Sequence, residues 1–157
     1  MSAATATDLE TFIDRLKLRH FKGAEFSEYW TRTRKGVSNN LPPEALWPNI
    51  IPTLIVLDEI REQAGQPVIL SSTYRSPRYN AAIGGEPASF HMRFMAVDFS
   101  AMCGARDLHA IAQSLRGRKF KLPVRGQFTF DGGIGLYVKS GFVHLDCRNT
   151  PANWKGN

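Results

Sequence analysis

Cysteine is scarce in this chain: Cys103 and Cys147 are the two among 157 residues. They lie far apart and neither sits in a CxxC pair, which excludes a disulfide framework and a cysteine zinc ribbon. A reduced state during synthesis is the expectation. No apolar run approaches the roughly 20 residues of a membrane helix, so no membrane partner is expected. The start, MSAATATDLETF, has neither a basic opening nor an apolar h-region. No signal peptide is therefore expected, and the chain should be cytoplasmic at synthesis. Acidic residues are outnumbered, 14 against 20 Lys and Arg, giving a net charge of +6. That balance suits an anionic partner. The basic residues are scattered, however, and no aromatic–basic interleaving occurs, so no nucleic-acid partner is expected. There is no internal repeat, low-complexity segment or clear linker.

Hydrophobic residues make up 43% and charged residues 22%, the balance of a folded globular chain. The length suits a single domain, residues 1–157. Leu9, Phe12, Ile13 and Leu16 recur at helical spacing and predict a helix over 9–20, with Thr7 or Asp8 as cap. Residues 26–32 read as a short strand or turn, and 36–43 as a loop. Leu46, Ile50, Leu54, Leu57 and Ile60 form the stripe of a main helix, broken into two pieces by Pro48 and Pro52 and ended by Gly65. A buried strand follows at 68–70, then a short helix over 78–83, an extended segment over 91–99 and a helix over 107–115. Residues 128–130, 134–138 and 142–145 are short β-type runs, with Lys139-Ser140-Gly141 as a hairpin turn. The tail, 149–157, is polar apart from Trp154. Helices early and a small antiparallel sheet late make the fold class α+β.

Histidine is sparse as well, four in all. His20 and His109 stand apart from other ligand-type residues. His91 and Asp98 are seven residues apart, which on one helix would separate them by about 10 Å. Across a turn followed by a strand they can converge, and His144 arrives from the last hairpin. Two imidazoles and one carboxylate with an open fourth position are the composition of catalytic zinc. Alternation along a strand puts Asp146 on the same face as His144. Three roles stay open for it: a general base, an orienting partner of His144, or a surface pair with Arg148. Asp131 is a further base candidate.

The order of motifs adds to this. The chain carries Tyr74-Arg75-Ser76-Pro77, Asn80, Gly84-Gly85, Ser89-Phe90-His91, Asp98, Gly132-Gly133-Ile134-Gly135, Tyr137 and Val143-His144. Over roughly residues 45–150 it resembles the zinc D-alanyl-D-alanine carboxypeptidase and L-alanyl-D-glutamate endopeptidase family, to which many phage endolysins belong. The resemblance implies a hedgehog/DD-peptidase-like fold, with N-terminal helices packed on a small antiparallel sheet. Residues 1–44 would be a helical extension and 45–150 the zinc peptidase core. His91, Asp98 and His144 match the zinc ligands. Arg75 matches an arginine that stabilises charge developing at the scissile amide, and Ser89, Arg75 and Tyr137 fall to substrate binding. The implied partner is a bacterial peptidoglycan peptide, cut by a monomer acting on the cell wall after release or as part of a virion.

Two positions depart from the family pattern. Phe94 replaces a usual glycine three residues after the first ligand histidine, where a large side chain would narrow the site or redirect the backbone. Gly141 replaces an acidic base three residues before the last. These departures favour an alternative, a catalytically inactive zinc-binding virion or tail protein of the same fold. A small basic nucleic-acid-binding domain rests on charge alone.

Overall fold

The computed structural model describes residues 3–157. Helix α1 spans Ala6–Asp14, capped by Thr5, whose backbone N–H is in turn bonded by the Asp8 carboxylate. It is shorter than its apolar spacing predicts. The backbone N–H groups of Arg19 and His20 donate to the Asp58 carboxylate, at 3.0 and 2.9 Å, so a tertiary partner replaces the next helical turn. Within residues 26–32 the chain is helical as far as Trp30: a 3₁₀ turn, Gly23–Phe26, runs into α2, Ser27–Trp30. Strands β1, Thr33–Arg34, and β2, Val37–Ser38, form a small hairpin.

The main helix does come in two pieces. A 3₁₀ segment, Glu44–Ile50, leads into α3, Ile51–Ala64, which ends at Gly65 with a left-handed φ of 62°. Then follow β3, Ile69–Ser72; α4, Pro77–Ala82; a 3₁₀ turn, Phe90–Arg93; β4, Ala96–Ser100; and α5, Ala105–Ser114. Strands β5, Lys119–Lys121, and β6, Gln127–Thr129, pair as a hairpin. The chain closes with β7, Gly133–Tyr137; β8, Phe142–Asp146; and β9, Ala152–Gly156.

The principal sheet has the order β3-β4-β8-β7-β9. All its pairs are antiparallel except β7 with β9, which is parallel. The polar tail is thus an edge strand, which residue type alone does not signal. No helix of the described residues is long and apolar enough to cross a membrane. One hydrophobic cluster runs from Leu9 and Ile13 of α1 through Leu54, Leu57 and Ile60 of α3 to Val97, Val143 and Leu145 of the sheet.

Register is what positions the polar face of that sheet. Ser72 pairs with Asp98, Asp98 with His144, His144 with Gly135, and Gly135 with Trp154. Those five residues form one row across all five strands. Directly paired residues project on the same face, so the row brings Asp98, His144 and Trp154 together.

Candidate metal centre

His91 enters the site from the 3₁₀ turn, whose N-cap is Ser89; the Ser89 hydroxyl accepts from the His91 backbone N–H at 3.3 Å. The turn is pinned to β3's continuation by Arg75 N–H donating to the His91 carbonyl, 3.2 Å. Nδ1 of His91 lies 2.5 Å from the Thr73 carbonyl oxygen. A carbonyl only accepts, so Nδ1 carries the proton and Nε2 presents a lone pair. That Nε2 faces Asp98 Oδ1 at 3.1 Å, and His144 Nδ1 reaches the same oxygen at 2.9 Å. The two imidazoles meet nearly edge to face, with centroids 5.0 Å apart.

One donor atom from each of His91, Asp98 and His144 lies within 4.8 Å of the others, and all three residues are buried. Burial lowers the pKa of His91, and the Asp98 carboxylate only partly opposes this, so its imidazole stays neutral. A neutral nitrogen lone pair therefore faces a carboxylate oxygen across 3.1 Å. Two acceptors in that arrangement repel unless a cation lies between them. Burial alone would raise the Asp98 pKa, but once the facing imidazole nitrogens take up protons, the charge on His91 and the hydrogen bonds from His144 and His91 hold it well below the usual carboxylate range. The donor set, its charge and its spacing fit zinc.

Asp146 takes one of the three roles left open by its sequence position. Its Oδ2 lies 2.9 Å from His144 Nε2, on the ring edge opposite the Nδ1 that faces Asp98. The carboxylate is fully buried. It also accepts from Gly133 N–H at 3.2 Å, from Arg148 N–H at 3.1 Å, and from Arg148 Nε and Nη2 at 2.8 and 2.7 Å. With its oxygens so engaged, Asp146 orients His144 and fixes Nδ1 as the outward donor. Asp146 is not among the residues that line the cleft. The pair with Arg148 exists, but inside the protein. Asp131 is half exposed, with Arg116 Nη1 at 3.9 Å, and does not line the cleft either.

The three donors open on a cleft of about 800 Å³. Arg75, Ser89 and Tyr137 all line it. Arg75 Nη2 binds Asp98 Oδ2 at 2.6 Å and its Nε binds the Ser72 hydroxyl at 2.9 Å, so its guanidinium is fixed beside the donor set. Tyr137 stacks on Phe142 at 4.3 Å and accepts from Trp154 Nε1 at 2.8 Å. Phe94 lies outside the cleft. It is fully buried, packs edge-on to Tyr74 at 6.1 Å, and holds a left-handed φ of 52°. The feared narrowing does not occur, because the side chain turns into the core.

Arg148, Phe90, Trp154 and Glu86 also line the cleft. Sequence pattern missed these. The signal, where there was one, was Trp154 alone in a polar tail. The glycine run explains its placement: a Cβ on Gly135 would lie 2.5 Å from the Trp154 indole, and one on Gly133 would lie 2.5 Å from Asp146 Oδ2. Gly135 thus lets Trp154 lie over the sheet against the His144 ring, 5.1 Å away. His20 pairs with Glu62, and His109 lies against Gln113; neither joins the site.

The family model of peptidase M15 matches residues 19–146, most of the chain and every member of the donor set. The chain belongs to the peptidase M15 family. A metallopeptidase role, with hydrolysis of amide bonds as its chemistry, follows from membership in this family of zinc peptidases. The match begins after α1 and stops at Asp146, so Arg148 and Trp154 of this M15 peptidase lie beyond it. No curated protein matches the chain.

Proposed function

We propose that this M15 peptidase hydrolyses amide bonds in the stem or cross-link peptides of bacterial peptidoglycan, as a carboxypeptidase or endopeptidase of a phage-type lytic enzyme. The observation that carries the hydrolytic part is the pair of facing acceptors, His91 Nε2 and Asp98 Oδ1, at the floor of an open cleft. The net charge of +6 supports an anionic wall as the setting.

His91, Asp98 and His144 would hold zinc, with Thr73 and Asp146 fixing the two imidazoles from behind. Bound there, zinc supplies Lewis acidity toward a scissile carbonyl and acidifies water to a pKa of about 7. Arg75 places a fixed guanidinium beside the donor set, where it stabilises negative charge on the carbonyl oxygen. Ser89 and Tyr137, which line the cleft, offer hydroxyls to the substrate backbone. Of the carboxylates lining the cleft, Asp98 belongs to the donor set and Glu86 is exposed on the loop before Ser89. Glu86 is the group left to take the proton from water and pass it to the leaving amine.

The commitment of Asp146 to His144 and Arg148 favours a second reading, zinc and peptide binding without turnover. Metal analysis and a zymogram on purified cell walls separate the two, run on wild type, His144→Ala and Glu86→Gln. The hydrolytic reading expects about one zinc per chain and lysis by wild type, with zinc lost in His144→Ala and lysis alone lost in Glu86→Gln. Zinc without lysis in wild type establishes the binding reading. No zinc in wild type removes both.

A further inference from the structure

Arg148 is held more firmly than a cleft cation needs to be. Its guanidinium lies over the Phe90 ring at 4.2 Å and over the Trp154 ring at 5.4 Å, so aromatic faces fix its plane. Its Nε and Nη2 take the two oxygens of Asp146 side by side. A guanidinium has two donor edges that match a carboxylate, one through Nε and Nη2 and one across the two Nη atoms. Asp146 uses the first. Among the described residues Nη1 has no partner, and the side chain is 24% exposed where it lines the cleft. Asp146 does not cancel this cation, because it shares its charge with His144 and the Gly133 and Arg148 backbone N–H groups as well. The other cleft guanidinium, Arg75, is already tied to Asp98 and Ser72.

We infer that Arg148 is a carboxylate subsite: its outer Nη edge takes a free carboxylate of the peptide substrate, close to the amide that is cut. The inference rests on the peptidase reading above and adds what the substrate must carry. A bidentate pair of this kind is strong and directional, and its plane is set before the ligand arrives. Phe90 and Trp154 supply apolar wall beside it. The same arginine reaches through Asp146 to His144, so it is also a positioning residue.

The test compares two N-acetylated stem tetrapeptides that differ only in whether their carboxylates are free or amidated. Zinc-loaded wild type, Arg148→Lys and Arg148→Gln are used, with zinc content and a thermal melt recorded for each. Chromatography gives KM where a peptide is cut, and calorimetry gives Kd where it stays intact. Wild type should prefer the free peptide by about tenfold or more. Both variants should bind the two peptides within about threefold of each other. Arg148→Lys keeps a cation against Asp146 and removes only the second donor edge, so it carries the comparison if Arg148→Gln unfolds. Equal treatment of both peptides by wild type, or discrimination that survives in Arg148→Lys, overturns the subsite. Failure of wild type to cut either peptide while still preferring the free one overturns the peptidase reading and leaves the subsite standing.

Discussion

Asp146 grips His144 from the ring edge opposite Asp98, 2.9 Å from Nε2, and so sets which nitrogen faces the cleft. This buried carboxylate and Arg148 are a single unit, and removing one strands the other. Asp146→Asn should weaken zinc binding by about 10–100-fold, the usual cost of losing an orienting partner. Competition with a chelator measures this. Activity at saturating zinc should fall far less than in Glu86→Gln. An activity loss in Asp146→Asn that saturating zinc cannot relieve would return Asp146 to the role of base.

The same carboxylates make the zinc-stripped protein acid-sensitive. Burial opposes ionisation of Asp98 and Asp146, but the imidazoles for Asp98, and Arg148 with His144 for Asp146, hold both below the ordinary range. A depressed folded pKa stabilises the fold fully above the unfolded value of about 4 and loses that contribution as pH falls through the folded value. Thermal melts of the zinc-stripped chain should therefore be flat in this respect above about pH 5 and fall steeply below about pH 4. Asp146→Asn should flatten part of that fall.

Phe94 weighs strain against burial. Its left-handed backbone costs about 1–2 kcal/mol for a residue with a Cβ. Its buried ring is worth about 3–5 kcal/mol on truncation to alanine. Phe94→Gly should thus destabilise by about 2–4 kcal/mol, and by about 1 kcal/mol less than Phe94→Ala. Urea melts read both. A glycine variant more stable than wild type would refute the balance.

Gly135→Ala should push Trp154 off His144, because the new Cβ would sit 2.5 Å from the indole. The expected signs are a shift in tryptophan emission and a loss of peptide affinity. Combined with Trp154→Leu, the loss should be well short of additive, since both changes remove one contact.

Burial pushes the Cys147 thiol up to about 12. Its thiolate is then negligible at pH 8, and it should not react with a thiol reagent in the folded protein. In a Cys103→Ser background, native labelling should be near zero and denatured labelling complete. Fast native labelling of Cys147 would contradict its environment.

The donor set was legible in the sequence because its residue types are rare: two of four histidines, spaced from one aspartate as only a turn and a strand allow. The helices of the main stripe were legible because Gly65 and the two prolines punctuate them. What could not be read depended on distant partners. Asp58 stops α1 by taking the backbone N–H groups of Arg19 and His20. Strand β9 alternates in burial but carries one large apolar residue, Trp154, since its pairing with β7 serves a cleft wall and not the core. Without that strand Trp154 has no place, and Arg148 looks like a surface charge.

The row of cross-strand partners from Ser72 to Trp154 also sets where this chain tolerates a change of length. Side chains alternate along a strand, so one residue inserted within β4 or β8 would turn Asp98 or His144 into the core and bring an apolar neighbour to the cleft. An insertion between Leu122 and Gly126, at the tip of the β5–β6 hairpin, shifts no member of the row. Indels should therefore be confined to the turns, and the strands should vary by substitution alone.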